Sequence, residues 1–262
     1  MTSYETIRID HDAHGVVRLW LNRPEKHNVM SGQMMAELKA AAAELAGDDK
    51  VRVVVLGGIG PSFCAGGDLD WMRTQIAADG ATRAAEAGKI ARALQALNTL
   101  PKPLIGRIHG NVMGGGVGMT SVCDVAVAAE GTRFGLTETK LGLIPATISP
   151  YVIARMGEAR ARRVMMSSRV FGAEEARDLG IVAKVVPEDA LDAAVEAEVL
   201  PYLSCAPGAV AAAKGLTRRM GPVIDEALIE ETIAGLVARW EDPESAEGIA
   251  AFFEKRAPSW KL

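Results

Sequence analysis

The 262-residue chain is short of most of the features that announce a common chemistry. Its three cysteines, Cys64, Cys123 and Cys205, are far apart and form no CxxC pair, so neither a disulfide framework nor a zinc site is expected. Four histidines without an HExxH spacing argue against a histidine-bound metal. There is no excess of basic charge either: 29 Lys and Arg against 33 Asp and Glu give a net charge of −4. Nothing therefore advertises nucleic acid or an anionic membrane surface as a partner, and an anionic ligand must be met by locally placed Lys and Arg. The most continuous weakly polar run, residues 109–129, contains His109, Asn111, Asp124 and much glycine, and is not a membrane span. The start, Met1-Thr-Ser-Tyr-Glu-Thr6, lacks the basic and apolar blocks of a signal peptide, so a cytoplasmic location is expected.

Several nucleotide and nucleophile motifs are absent as well. The chain has no GxxxxGK[ST] phosphate loop and no GxGxxG opening a dinucleotide unit. No GxSxG elbow is present to carry a serine nucleophile.

What is there is an ordinary globular composition, 49% apolar and 24% charged, in a length that suits one large domain or a domain with an appendage. Residues 6–10 and 16–21 alternate as a hairpin around Asp12-Ala-His-Gly15, followed by the polar loop Asn22-Arg-Pro-Glu-Lys-His-Asn28. Ser31 caps a predicted helix to about 46, and Val51-Arg-Val-Val-Val-Leu56 reads as a buried strand. Helices are expected over 69–76 and 81–99, a strand over 104–108, and short strands over 125–129 and 133–136. Further helices are expected near 146–157, 158–167 and 173–179, then a strand over 181–186. From 188 on the pattern is helical, about 188–200, 206–219, 223–240 and 243–254. The fold class is thus α/β followed by an all-helical last third, divided softly into 1–199 and 200–262.

Two glycine-rich loops stand out, 57–68 and 110–118, each after a strand and before a helical stretch. In the second, three consecutive glycines let backbone N–H groups approach a ligand oxygen, with a helix N-terminus just behind them. That is a construction able to hold an oxyanion. A tight turn packed against a neighbour satisfies the same pattern, and the stretch alone leaves both readings open. Two such N–H groups converging on one carbonyl would stabilise an enolate.

Phe63-Cys-Ala-Gly-Gly-Asp-Leu69, Gly110-Asn-Val-Met-Gly-Gly-Gly116 and Phe134-Gly-Leu-Thr-Glu138, continued by Leu141-Gly-Leu-Ile-Pro145, resemble the enoyl-CoA hydratase/isomerase (crotonase) superfamily. The likeness runs in order from about Val16 to Arg256. It implies a spiral of ββα units, a C-terminal helical trimerisation region over 200–262, and a homotrimer or dimer of trimers. It implies an acyl-CoA thioester substrate, with coenzyme A arriving as part of that substrate and no metal or redox cofactor. By match to the motifs, Gly67 and Gly115 would supply the oxyanion-hole N–H groups and Glu138 the general acid/base. The loop around Ala65 would take adenine and pantetheine, with Lys26 near the phosphates. Gly114 and Asp68 fall in the substrate-binding loops, although Asp68 and Asp124 sit where loop-fixing hydrogen bonds are expected. Asp70 is a further carboxylate with possible reach to the acyl pocket. Phe252 and Lys255 match positions where a neighbouring subunit's C-terminal helix completes the coenzyme A site.

Typical hydratases of the family carry a second glutamate shortly after the triple glycine, where this chain has Gly118. Single-glutamate members are often Δ3,Δ2-enoyl-CoA isomerases. Ala65-Gly-Gly-Asp-Leu-Asp-Trp-Met72, Gly116-Val-Gly-Met119 and Pro145-Ala-Thr-Ile-Ser-Pro-Tyr151, however, resemble a bacterial branch of 3-methylglutaconyl-CoA and isohexenylglutaconyl-CoA hydratases. That likeness implies a branched, carboxylated 2-enoyl-CoA, with Gly118 leaving space for it and Arg73, Arg133 or Lys140 receiving the carboxylate. The alternatives are an enoyl-CoA isomerase and a non-catalytic acyl-CoA-binding homologue.

Overall fold

The computed structural model describes residues 4–262; the first three residues of the segment read for an export signal lie outside the described residues. The hairpin forms as expected, with β1 (Ile7–His11) antiparallel to β2 (Val16–Leu21). It feeds a six-stranded sheet in which β3 (Val53–Gly58), β4 (Leu104–Ile108), β6 (Val125–Ala129) and β9 (Lys184–Val186) are parallel to β2 in that order. All six residues of β3 are buried, because a parallel sheet covered on both faces needs apolar side chains on both. One face packs on α1 (Gly32–Gly47) and α3 (Gly80–Thr99), with Met34, Leu38, Leu56, Leu94 and Leu97 in the shared core. On the other face Val53, Val55, Ile105 and Val127 meet Leu191, Val195 and Val199 of α8 (Leu191–Leu203).

A second, three-stranded sheet carries what the sequence pattern concealed. β5 (Asn111–Met113) and β8 (Val170–Gly172), neither expected, flank β7 (Arg133–Gly135). At three residues each they are too short for a period-2 pattern to register. β5 runs into α4 (Gly115–Ser121), all of whose residues are buried, and Cys64 bridges to Val112. The two glycine loops are thereby stitched side by side.

The helices α2 (Leu69–Ala77), α5 (Ser149–Met156), α6 (Glu158–Met165) and α7 (Ala173–Asp178) fall within a few residues of their expected ranges. The soft boundary at 199/200 falls inside α8, which is part of the sheet's cover. Beyond it, α9 (Pro207–Met220) buries none of its residues. By contrast α10 (Glu226–Glu241) and α11 (Pro243–Glu254) fold back onto α2 and α3, joining Ile229, Ile233, Trp240 and Ile249 to Met72 and Ala91. No helix among the described residues is long and apolar enough to cross a membrane.

Candidate active site

The two glycine loops and the segment after β7 enclose a cavity of about 310 Å³. Its wall is mostly apolar, with Met30, Trp71, Met113, Leu143 and Ile148 among the larger side chains. Four glycines contribute backbone to it: Gly66 and Gly67 from one loop, Gly114 and Gly115 from the other.

The Gly67 N–H is set by a short parallel bridge. Met30 N donates to Gly66 O at 2.8 Å and Asp68 N donates to Met30 O at 2.9 Å. In parallel pairing the bonded partner uses the residues on either side, so Gly67's own N–H is turned away from Met30. Gly115 opens α4, where a first-turn N–H has no intrahelical acceptor. Side chains are excluded in the second loop, whereas a Cβ on Gly67 would meet only Met72 Sδ at 4.0 Å. Gly114 sits at φ +51° and ψ −114°, a conformation that a side chain resists. A Cβ on Gly115 would collide with Met30 Cε and Sδ, so the thioether lies directly against this backbone.

Glu138 enters at the start of a 3-10 turn, Glu138–Leu141, which follows β7. Its carboxylate lies against the triple glycine: a Cβ placed on Gly114 would be 2.8 Å from Glu138 Oε1. The residue is half-buried, yet Oε2 is sealed from solvent and is the one such side-chain atom among the described residues without a hydrogen-bond partner. Burial pushes the carboxyl up to about 7, against a smaller opposing pull from the residue's own backbone N–H. A carboxyl that titrates near neutrality can both accept and return a proton at that pH.

The other carboxylates are fixed in structural work. Asp68 caps α2 by accepting from Asp70 N, and Arg23 donates to it at 2.8 Å. Burial works against its charge, but those hydrogen bonds and the cations Arg23 and Lys26 outweigh it and hold the carboxyl below its ordinary range. Asp68 is not part of the cavity wall; its carboxylate fixes the loop, as its position after a glycine turn leads one to expect. Asp124 likewise accepts from Leu104 N and from Lys214 Nζ, both at 2.7 Å. Asp70 is exposed, pairs with Lys26 at 3.0 Å, and does not line the cavity.

Ala65, Gly67, Gly114, Gly115, Glu138 and Phe252 all line the cavity; Lys26, Gly118 and Lys255 do not. Gly118 leaves no room for an acyl branch. A Cβ there would lie 2.7 Å from Ile148 Cγ2 and 3.3 Å from Leu94 Cδ1, so Ile148 and Leu94 fill the space a larger residue would take. Phe252 reaches the cavity from its own chain. Gly248 of α11 packs on the Glu138–Leu141 turn, where a Cβ would be 2.5 Å from the Leu141 carbonyl carbon. Arg239 of α10 clamps that contact by donating to Gly142 O at 3.0 and 3.1 Å. Lys255 ends α11 at φ +54° and is exposed.

Of the three cations considered for a substrate carboxylate, Lys140 lines the cavity. Arg73 is engaged over the Phe253 ring at 4.5 Å, and Arg133 is exposed on β7. Sequence reasoning missed Met30, Trp71, Thr147, Leu236 and Trp240 as wall residues. Trp71 and Thr147 stand inside quoted motifs; the others carry no signal separable from ordinary core pattern. Burial raises the thiols of Cys64 and Cys123 to about 12, so neither is a ready nucleophile. Among the described residues no group of three His, Cys, Asp or Glu is placed to hold a metal.

The family model for enoyl-CoA hydratase/isomerase matches residues 11–262. A probable enoyl-CoA hydratase of Mycobacterium bovis is 33% identical over 98% of both chains. The 2,3-dehydroadipyl-CoA hydratase of Escherichia coli is 33% identical over 94% of this chain and 95% of its own. A crystal structure of an enoyl-CoA hydratase from Shewanella pealeana superposes with a TM-score of 0.80 at 35% identity, covering 98% of this chain and 96% of the other. The chain belongs to the enoyl-CoA hydratase/isomerase family and has the crotonase fold.

Proposed function

We propose that the protein is a hydratase that adds water across the double bond of a branched, carboxylated 2-enoyl-CoA, with 3-methylglutaconyl-CoA the leading candidate. The observation that carries the reaction is the Glu138 carboxyl, with Oε2 unpartnered, held against the triple glycine in an apolar cavity. The thioester oxygen accepts from the N–H groups of Gly67 and Gly115, which draw electron density from C3. Glu138 takes a proton from water as the oxygen bonds to C3, and charge moves onto the thioester oxygen. The protonated carboxyl then returns a proton to C2, closing the balance with one water added. Each oxyanion donor contributes about 3–4 kcal/mol in comparable sites.

Coenzyme A serves only as the carrier of the acyl group in this reaction, with the loop at Ala65 taking pantetheine and adenine. Lys26, bonded to Asp70 at the edge of that loop, is the proposed phosphate contact, and Lys255 a second. Lys140 in the wall supports a carboxylated acyl group, as does a relative whose name specifies a dehydroadipyl, hence dicarboxylic, thioester. Exposed Leu216, Met220 and Val223, on and just after α9, support self-association as a homotrimer or dimer of trimers.

One observation favours a second reading. With Gly118 in place of a second carboxylate, Glu138 alone suits Δ3,Δ2-enoyl-CoA isomerisation. Incubation with 3-methylglutaconyl-CoA, crotonyl-CoA and a 3-enoyl-CoA, followed by product mass, separates them. Gain of one water on the first, and little on the second, is expected. Bond migration at constant mass would replace the hydratase reading, and no turnover with retained thioester binding would leave a binding protein.

A further inference from the structure

The wall that would hold a second catalytic carboxylate is occupied by Ile148 and Leu94 over Gly118, so one carboxylate must share its water with another group. Gly114 and Gly118 are one turn apart, joined by the bond from Gly118 N to Gly114 O at 3.2 Å. Glu138 lies over the first and Ile148 over the second, so the 147–148 segment borders the carboxylate along the same face of the cavity. The side chain next to Ile148 is Thr147, only 5% exposed and part of the cavity wall. Among the described residues its hydroxyl has no hydrogen-bond partner, and it is not sealed in the manner of Glu138 Oε2. Its neighbour Ser149 is satisfied by Ala146 O at 2.7 Å, which makes the free hydroxyl a property of Thr147 and not of the whole segment. An unpartnered hydroxyl on a residue of the cavity wall, in the segment bordering the Glu138 carboxylate, adds a second polar partner to the one a water would find there.

We propose that Thr147 is the positioning residue that replaces the second glutamate: its hydroxyl accepts one O–H of the attacking water while Glu138 accepts the other. The water is then held by two acceptors with a lone pair free for C3. Threonine cannot itself take the proton, so one water O–H bond breaks toward Glu138, the C3–O bond forms, and Glu138 returns the proton to C2. The inference rests on the hydratase reading and supplies the group that reading lacks.

The test compares Thr147→Val, which keeps shape and removes the hydroxyl, with Thr147→Ser, which keeps it. Two readouts are taken: hydration of 3-methylglutaconyl-CoA and crotonyl-CoA, and exchange of the C2 protons of butyryl-CoA in D2O. The second needs Glu138 and the oxyanion donors but no added water. Thr147→Val is expected to lower kcat for hydration about tenfold to a hundredfold, with KM within about threefold and exchange within about twofold. Thr147→Ser restores hydration. Unchanged hydration in Thr147→Val overturns the proposal, as does parallel loss of hydration and exchange, which marks a structural role. If Thr147→Val is inert and Thr137→Val, removing the other threonine of the wall, lowers hydration selectively, the role belongs to Thr137. Absence of hydration by the unaltered protein, with exchange intact, instead removes the hydratase reading itself.

Discussion

Two concavities of similar size lie on this molecule and differ in what their charges do. The cavity at Glu138 encloses about 310 Å³; a second cleft, at the C-terminal ends of β2 to β4, encloses about 350 Å³ and is lined by Arg8, Trp20, Arg107, His109 and Glu188. The cleft holds more charge, but its cations and histidine are engaged. Arg107 donates to Asp192 at 2.6 Å, Arg8 pairs with Asp10 at 2.7 Å, and His109 Nε2 bonds Gly60 O at 2.8 Å. Burial lowers the His109 pKa, against the Gly60 bond that raises it, so its imidazole is kept neutral at pH 7. In the cavity one carboxyl stands among apolar side chains with an oxygen left over. Reactivity follows the unsatisfied group in a dry wall, and not the number of charges present.

Breaking the active side of that contrast gives the largest effect. Glu138→Gln is expected to cost about 10³-fold or more in kcat while thioester binding, read by calorimetry, is retained. Before that change, kcat/KM should rise with pH through about 7, as the base ionises, and then level. Gly115→Ala drives a Cβ into Met30 and displaces the oxyanion donor, with an expected loss of about 10²-fold in kcat. A chain that kept full activity would remove Gly115 from the reaction.

The same carboxyl affects stability with a sign opposite to that of a paired one. Its folded pKa of about 7 stands above the ordinary 4.5, so its contribution is fully present below about pH 4.5 and is lost as pH rises through about 7. Denaturant melts of the parent and Glu138→Gln should diverge across that window, by about 3 kcal/mol at pH 8 in favour of the variant. Lys140→Met sharpens the substrate side, raising KM for 3-methylglutaconyl-CoA about tenfold and leaving crotonyl-CoA unchanged. In the cleft, Arg107→Gln should leave kcat within about twofold and alter stability by about 1 kcal/mol or less, because Asp192 is an exposed partner. A large activity loss there would erase the contrast.

Much of the site could be read along the chain. Glu138, Gly67, Gly114 and Gly115 stand in motifs that resemble the family's, and the structure collects them around one cavity. The helices emerged because capping residues such as Ser31 and apolar periodicity act within a few residues. Asp68 was harder to assign, since the sequence could not show that Arg23, 45 residues away, holds its carboxylate.

By itself the sequence determined the helices, the longer strands and the two glycine turns, and its likeness to the family marked the one carboxylate; it did not reveal β5 and β8. These depend on local backbone preferences and on motifs that need no distant partner. Only the tertiary structure decided that Ile148 fills the space over Gly118, that Thr147 faces the cavity, and that Phe252 of the same chain closes it. Those outcomes are packing between segments 30 to 114 residues apart: 30 residues separate Gly118 from Ile148, and 114 separate Glu138 from Phe252. Close packing admits one occupant per space, and which residue arrives there is settled by the whole fold.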